Sequence, residues 1–532
     1  MADRPVKGDS NSGRSIVYAT EGMIATSQPL ASAAGLKVLM QGGNAVDAAI
    51  AANAVLCVVE PFMCGIGGDL FALIWSNNNN ELIGFNGSGR SGRLVNRERL
   101  VSEGNKEMPG RGVHTVTVPG AVDAWCRLLD DYGTMGLDTL LGPAIDYAER
   151  GYPVSEIIAS QWKGALPSLS DCTTALNVYT LKGRAPEPGE VMLNLALAED
   201  LKLIAAEGRA AFYEGLLAEK ICHYLNKRGS GITIEDFIDH AGEYVIPITT
   251  NYRGYDVYEL PPNGQGAVVL EMLNILEGYD LAKLGHNTSE YIHLLIEAKK
   301  YSYKDRTRYI ADPAFNDLPI EKLISKEYAS QVRNLIDPAT ASKLYGGDLR
   351  SSDTVYLSVV DKSGNCVSLI NSIYGLFGAG LVPYGTGILM QNRGSLFSLK
   401  PDNFNCLEPQ KRPLHTIIPA MVLQDNSPCF CFGVMGGDMQ PQGHVQIILN
   451  MIDFGFNIQK AGEADRVCHT EEGVALESGI NWQSRIGLLE KGHRIISELN
   501  VFGGYQGIYI DQETGVLAGA SDPRKDGCAL GL

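Results

Sequence analysis

The chain has 532 residues, of which 45% are hydrophobic and 20% charged, so it has a globular composition and is long enough for more than one core. Its net charge is -17, and it has neither a basic block nor a stripe of aromatic and basic residues, which excludes nucleic acid as an expected partner. No apolar run is long enough to span a membrane, so we expect no membrane partner either.

The N-terminal segment and the cysteines bear on localisation. Residues 1–18 are polar and lack the apolar stretch of a secretory signal, so we expect them to form a loose tail. The 11 cysteines are scattered and odd in number, a pattern typical of reduced thiols. Together these features predict a cytoplasmic protein.

Two helices and a strand are the first predicted elements. Residues 29–40 have a helical pattern, and Asn44 can cap a second helix over 45–59. The glycine-rich residues 64–69 then lead into a strand at 70–75. Because a nucleotide-binding fingerprint has its glycines after a strand and before a helix, we interpret this cluster as a tight turn.

The rest of the chain divides into a helix-rich part and a strand-rich part. Up to residue 353 the pattern predicts mainly helices over 115–240, one strand at 252–260, and helices at 264–276 and 288–303. A polar link at 347–352 follows, and beyond it strands alternate with turns, apart from a helix near 443–451. This arrangement predicts sheets sandwiched between helical layers.

The segment that begins at Asp353 and Thr354 bears most directly on function. It predicts a buried strand that begins at Thr354, a turn at 361–365, and a second strand at 366–370 that completes a hairpin. If the chain is cut before Thr354, the new α-amino group would titrate at about 7.7–8.0 and could act as base for the hydroxyl of the same residue. Taken alone, a threonine at this position is more often a simple strand entry.

The chain resembles the gamma-glutamyltransferase family of N-terminal-nucleophile hydrolases, nearly end to end from about Gly22. The motifs that carry the resemblance occur in the family's order, at residues 42–49, 118–120, 132–135, 252–255, 297–301, 312–313, 411–414 and 436–437.

The resemblance implies a fold and a reaction. The fold would be of the α+β class, a four-layer αββα sandwich, cut between Asp353 and Thr354 into a large subunit (19–353) and a small subunit (354–532) that stay intertwined. Thr354 would attack an amide carbonyl to form an acyl-enzyme, and the backbone of Gly436 and Gly437 would bind the oxyanion. Ser372 stands where the family has a threonine whose hydroxyl bonds the nucleophile.

The residues that would grip a gamma-glutamyl substrate are altered. Leu396 stands where the family has an aspartate that holds the substrate's ammonium group, and Tyr374 replaces an asparagine. The family's paired serines correspond to His415 and Thr416. Asn86 and Gly87 occupy the place of the carboxylate-binding arginine, although Arg90 is close enough that a shifted loop would let it compensate.

Arg393 is the new cation of the predicted pocket. A guanidinium can bind a carboxylate through two parallel hydrogen bonds, and with His415 nearby the pocket is predicted to bind an anion. The alternatives are that Arg393 forms a structural ion pair and that His415 is a hydrogen-bonded core histidine. The altered set resembles the oxamate amidohydrolase branch, whose substrate has a carboxylate but no amine.

Three hypotheses about function therefore remain at this point. The first is a self-processing amidohydrolase acting on a small carboxylate-bearing amide such as oxamate. The second is a gamma-glutamyl hydrolase or transferase acting on glutathione-like substrates, and the third is an uncleaved, non-catalytic homologue. We expect no organic cofactor and no metal, since the i, i+4 pair Asp465 and His469 lacks a third ligand. The expected partner is a small-molecule amide, and a homodimer is possible.

Overall fold

The computed structural model describes residues 13–344, 354–497 and 501–532. Within these residues the α-helices are α1 Pro29–Met40, α2 Ala45–Val59, α3 Arg97–Ser102, α4 Ala121–Tyr132, α5 Leu137–Arg150, α6 Glu156–Ala165, α7 Thr173–Tyr179, α8 Leu195–Glu207, α9 Arg209–Tyr213, α10 Leu216–Asn226, α11 Ile234–Ile238, α12 Gly266–Leu276, α13 Leu281–Leu284, α14 Ser289–Tyr309, α15 Ile320–Leu323, α16 Lys326–Arg333, α17 Met439–Ile452, α18 Ile458–Glu463 and α19 Trp482–Glu490.

The strands of the described chain are β1 Val17–Ala19, β2 Met23–Thr26, β3 Asp69–Ser76, β4 Glu81–Gly87, β5 Tyr152–Pro153, β6 Val191–Met192, β7 Glu243–Val245, β8 Ile248–Tyr252, β9 Tyr255–Glu259, β10 Val355–Val360, β11 Cys366–Ser372, β12 Ala420–Gln424, β13 Ser427–Val434, β14 Val467–His469, β15 Val474–Leu476, β16 Ile495–Ile496, β17 Tyr505–Ile510, β18 Leu517–Ser521 and β19 Cys528–Gly531.

Two seven-stranded antiparallel sheets form the centre of the fold. One has the order β1-β18-β17-β13-β12-β9-β8, and the other has the order β19-β2-β10-β11-β3-β4-β7. Each sheet takes strands from both sides of Thr354, so neither part of the chain could complete a sheet alone. The hairpin predicted after Thr354 is present as β10 and β11, with Val355 opposite Asn371.

The two sheets pack face to face, and helices cover both outer faces. Tyr356, Phe71, Met421 and Ile508 belong to the buried apolar cluster between the sheets. On one side α2 packs against β10 and β11, and on the other side α12 packs against β8 and β9 while α17 packs against β13. The predicted α+β class and its four-layer αββα order are therefore confirmed.

The buried helix α2 shows how local sequence builds one of these layers. The Asn44 side chain accepts hydrogen bonds from the backbone of Val46 and Asp47, and Asp47 in turn accepts one from the backbone of Asn44. This capping box satisfies N–H groups that the helix itself cannot pair. Every residue of α2 is buried, in agreement with a sequence that is apolar all round the helix except at Asp47 and Asn53.

Several predicted elements need correction. The single strand expected at 252–260 is a hairpin, in which β8 and β9 meet at Arg253 and Gly254, both with positive φ. The helix expected at 288–303 continues to Tyr309. Two further helices, α18 and α19, lie in the part predicted to be strands and turns. Val17 and Tyr18, placed in the loose tail, pair with β18 instead, because the sheet edge supplies hydrogen-bond partners that local sequence does not reveal.

None of the helices described here combines the length and the apolar character that crossing a bilayer requires.

Candidate active site

Thr354 lies at the edge of the hairpin, directly before β10. The register of the hairpin brings it next to Ser372, the last residue of β11, and its Oγ1 donates a hydrogen bond of 3.3 Å to the Ser372 Oγ. The Ser372 Oγ also accepts a bond of 2.9 Å from the backbone N–H of Tyr374. Both hydroxyl side chains are buried, so these contacts fix the direction of the Thr354 hydroxyl. Asp353 lies outside the described residues.

Gln440 is a neighbour of Thr354 that the sequence analysis missed. Its Nε2 donates a 3.4 Å hydrogen bond to the Thr354 Oγ1, and its Oε1 accepts one of 3.0 Å from the backbone of Ile418. The sequence signal was available, because Gln440 follows the glycine pair by one helical turn. Its amide places the beginning of α17 against the threonine hydroxyl.

The glycine pair connects β13 to α17. Gly436 has φ +109° and Gly437 has φ +55°, backbone conformations that residues other than glycine rarely adopt. In the described part of the chain neither glycine N–H donates a hydrogen bond. Two adjacent N–H groups that donate to no described acceptor suit an oxyanion, and we retain the pair as the candidate oxyanion hole.

Arg393 is a fully buried cation on the short 3₁₀ turn Arg393–Leu396. Its Nη1 donates a 2.7 Å hydrogen bond to the Thr416 Oγ1, and its guanidinium lies 4.7 Å from the centre of the Tyr374 ring. Its Nε and Nη2 have no hydrogen-bond partner among the described residues. Burial lowers the pKa of Arg393 to about 10, against the opposing effects of Asp69, Tyr374 and Asp438, so the group stays charged at neutral pH.

Gln265 connects Thr416, the hydrogen-bond partner of Arg393, to the glycine pair. Its Nε2 donates hydrogen bonds to the backbone carbonyls of Thr416, at 2.7 Å, and of Gly437, at 3.1 Å. Its Oε1 accepts a bond of 2.7 Å from Arg306, which also pairs with the buried carboxylate of Asp438. Gln265 therefore supports both the candidate anion site at Arg393 and the candidate oxyanion hole at Gly436 and Gly437.

His415 differs from its expected role as a ligand of the substrate. Its Nε2 donates a 3.0 Å hydrogen bond to Asp69, and its Nδ1 accepts one of 3.4 Å from the backbone of Ile417. Burial, together with the charge of Arg393, lowers the pKa of His415 to about 4, so the ring is neutral near pH 7. Both ring nitrogens are engaged within the protein, which corresponds to the alternative of a hydrogen-bonded core histidine.

Asp69, which the sequence analysis did not single out, holds several chain segments near Arg393 together through hydrogen bonds. Besides His415 it accepts hydrogen bonds from the backbone of Gly89 and Gly120 and from the Gln391 side chain, at 2.9 to 3.1 Å. It is fully buried at the beginning of β3. This carboxylate is therefore committed to holding together the chain segments around Arg393.

Arg90 also differs from expectation. Its guanidinium pairs with Asp312 and Glu243, both at 3.0 Å, and its side chain is 32% exposed. Because two carboxylates already neutralise it, Arg90 serves to join three chain segments and does not supply a free cation for substrate.

One group of described residues, His293, Glu297 and His493, brings three possible metal-ligand atoms within 4.8 Å of one another. In the part of the chain that the structure describes, no hydrogen bond or ion pair joins these three residues to Thr354 or Arg393.

Comparisons with known proteins agree with this architecture. The family model described as Gamma-glutamyltranspeptidase matches residues 31–532. The chain is 41% identical to the "Glutathione hydrolase-like YwrD proenzyme" of Bacillus subtilis, covering 97% of this chain and 99% of that protein. It is 33% identical to the "Oxamate amidohydrolase proenzyme" of Klebsiella pneumoniae, covering 96% and 98% of the two chains.

A solved structure matches equally well. The crystal structure of cephalosporin acylase from Bacillus halodurans superimposes with a TM-score of 0.92 at 42% identity, covering 100% of this chain and 99% of the acylase. The family resemblance seen in the motifs is confirmed, and the chain belongs to the gamma-glutamyltranspeptidase family of amide-hydrolysing enzymes.

Proposed function

We propose that this protein is a self-processing N-terminal-threonine amidohydrolase that cleaves a small amide bearing a carboxylate. The observation that carries the proposal is that the adjacent Nε and Nη2 donors of Arg393 are buried and have no partner in the described chain. A buried cation with open donors is costly unless an anion completes it. A carboxylate matches this pair of parallel N–H groups.

The proposed maturation is cleavage between Asp353 and Thr354. The Thr354 Oγ1 attacks the carbonyl carbon of Asp353, the peptide C–N bond breaks, and the resulting ester is hydrolysed by water. The products are a carboxylate on Asp353 and a free α-amino group on Thr354. The large subunit 19–353 and the small subunit 354–532 then remain together, with 1–18 preceding them.

In the proposed turnover the α-amino group of Thr354 takes the proton of its own hydroxyl as Oγ1 attacks the substrate amide. Ser372 and Gln440 orient Oγ1, and the N–H groups of Gly436 and Gly437 bind the developing oxyanion. The proton passes to the leaving nitrogen, which departs as ammonia or an amine. Water then hydrolyses the ester and regenerates the threonine.

The substrate class follows from what surrounds Arg393. Thr416 positions one side of the guanidinium and Tyr374 covers its face, which leaves the Nε and Nη2 edge for the substrate carboxylate. Leu396 occupies the place of the family's ammonium-binding aspartate, so an amide with a carboxylate and no amine fits better than a gamma-glutamyl group. Oxamate is the smallest such substrate, and one relative carries the name oxamate amidohydrolase.

A gamma-glutamyl substrate remains the second candidate, supported by the glutathione hydrolase-like name of the B. subtilis relative. The third candidate, an uncleaved and non-catalytic homologue, is disfavoured by the intact arrangement of Thr354, Ser372 and the glycine pair.

The test is intact mass followed by substrate turnover. Wild type should give fragments that break between Asp353 and Thr354, whereas Thr354→Ala should stay one chain. Cleaved enzyme should release ammonia from oxamate faster than it releases the chromophore from a gamma-glutamyl anilide. The reverse order would favour the second candidate, and an uncleaved wild type without turnover would favour the third.

A further inference from the structure

We infer that His293, Glu297 and His493 form a buried binding site for a zinc-class divalent metal ion, separate from the catalytic groups. The inference departs from the absence of metal expected from sequence. His493 lies 200 positions after His293, so the cluster has no recognisable spacing in the sequence.

The three side chains converge. His293 and Glu297 are one helical turn apart on α14, and His493 comes from the loop after α19. One ligand atom from each lies within 4.8 Å of the other two, and all three residues are buried. Two imidazoles and a carboxylate are a ligand set that zinc commonly takes, with water completing the tetrahedron.

The hydrogen bonds of His293 place its lone pair toward the site. Its Nε2 lies 2.8 Å from the backbone carbonyl of Asp337, which can only accept, so Nε2 carries the proton. Its Nδ1 therefore accepts the hydrogen bond from the His493 Nε2, 2.8 Å away, and directs its lone pair toward the position between the two rings. A backbone partner on the far nitrogen is the usual way in which a metal-ligating histidine is oriented.

The pair would need only a small rearrangement to hold a metal. Bonds of about 2.0–2.1 Å in a tetrahedron separate two nitrogens by about 3.3 Å, so the rings would move apart by about 0.5 Å. The proton that His493 now carries on Nε2 would move to Nδ1 of the same ring. Both imidazoles then remain neutral, and no other group has to change charge.

Glu297 supplies the second independent observation. Its Oε1 accepts hydrogen bonds from the Lys300 Nζ, at 2.7 Å, and from the backbone of Ser342, at 3.2 Å. Its Oε2 is buried and has no partner in the described chain. A buried carboxylate oxygen that lacks a donor is satisfied when a cation binds it.

Lys300 opposes metal binding, since its charge already balances that of Glu297. The site is therefore predicted to bind zinc more weakly than a His2Glu set without a lysine. A bound ion would connect α14 to the loop that carries His493. It would also hold the 337–342 segment, because Asp337 bonds to the His293 ligand and Ser342 bonds to the Glu297 ligand.

Metal content is the first test. Wild-type protein purified from a zinc-supplemented culture and desalted should contain about one zinc ion per chain by mass spectrometry. Cobalt in place of zinc should give the visible bands of a tetrahedral site. Folded wild type with less than about 0.1 zinc per chain would overturn the inference.

Matched variants locate the ion. His493→Gln should lose the zinc and its thermal stabilisation, whereas His286→Gln, which alters a half-buried histidine bonded to Asn450, should keep both. Zinc retained by His493→Gln would place the ion elsewhere and refute the site. Thr354→Ala should bind zinc as wild type does, so this test is independent of the proposed catalysis.

Discussion

At the scale of single residues, Arg393 is the side chain whose environment most requires a ligand. Its Nη1 donates to Thr416 and its guanidinium face lies against Tyr374, while its Nε and Nη2 are buried without a partner among the residues that the structure describes. Residues with this combination of burial, charge and missing partners are concentrated at functional sites.

Replacement of Arg393 should affect substrate binding more than self-cleavage. Hydrogen bonds to charged groups contribute about 1.5–3 kcal/mol, so Arg393→Met should raise KM for oxamate by roughly 10- to 100-fold. Steady-state kinetics measures the effect, and intact mass should show that cleavage is unchanged. Arg393→Lys is the matched control, because it keeps the charge but loses the parallel donors and should be intermediate. Equal damage to cleavage and KM would contradict the assignment.

His240 gives a pH-dependent prediction that does not involve catalysis. Its ring stacks on Tyr213, with 5.2 Å between ring centres, and its Nε2 has no partner among the described residues. Burial is the main cause that lowers its pKa to about 4; Arg412 and Arg209 lower it further, and Asp123 and Asp69 oppose.

Because the folded pKa of His240 is depressed, only the unfolded chain takes up a proton at this residue as pH falls from 6.5 to 4. Its contribution to stability is complete above about pH 6.5 and decreases by about 2 kcal/mol on going from pH 7 to pH 5. Other buried groups titrate as well, so the test is a difference between two proteins. The gap in unfolding temperature between wild type and His240→Gln should narrow at pH 5, and a gap that stays constant would show that His240 does not titrate as proposed.

At the scale of elements, α2 links sequence to the position of the catalytic hairpin. Its capping box closes on Asn44, whose Nδ2 also donates a 2.6 Å hydrogen bond to the backbone of Tyr132. Since α2 packs on β10 and β11, a frayed first turn would loosen the layer beneath Thr354.

Asn44→Ala should destabilise the protein by about 1 kcal/mol through loss of the N-cap. Asn44→Ser is the matched control, because it keeps a capping oxygen while also losing the bond to Tyr132. The free energies of unfolding of Asn44→Ala and Asn44→Ser, obtained from thermal unfolding, should therefore differ by most of the roughly 1 kcal/mol that the N-cap contributes. If they are equally destabilised, the bond to Tyr132 accounts for the effect and the cap contributes little.

Prediction from sequence succeeded for elements with strong local signals. The boundaries of α1 and α2 and the hairpin after Thr354 agree with the structure, because proline, capping asparagine and turn residues mark them locally. The hairpin of β8 and β9 was missed, since the centre of β8 is the polar run Thr249–Asn251, which shows no apolar alternation. Helices α18 and α19 were missed because they are short and their stability depends on tertiary packing.

At the scale of the whole molecule, the two sheets make the parts before and after Thr354 inseparable. One sheet combines β8 and β9 with β12, β13, β17 and β18, and the other combines β3 and β4 with β10 and β11. The contact between the parts therefore consists of backbone ladders and a shared core, which a cut at one loop leaves intact.

Cleavage between Asp353 and Thr354 should accordingly leave a single particle. The fragments 1–353 and 354–532 should co-elute in gel filtration at the position of uncleaved Thr354→Ala and separate only in denaturant. Their unfolding should be one cooperative transition. Fragments that separate under native conditions would contradict the intertwined architecture as the basis of their association.

The sequence by itself determined the family, the layered α+β fold and the identity of the candidate nucleophile. Each of these was recognised from motifs, turns, helix caps or strand patterns, and each such signal involves only residues that are close together in the chain. Only the tertiary structure decided which charged groups are available to a ligand. Arg90 and Arg393 are both arginines that could bind a carboxylate. In the fold Arg90 pairs with Asp312 and Glu243, whereas Arg393 is buried and two of its donors have no partner in the described chain. His415 is neutralised by burial, and His293 meets His493 across 200 positions. Partners that distant in the chain are selected by packing, which no local pattern of residues records.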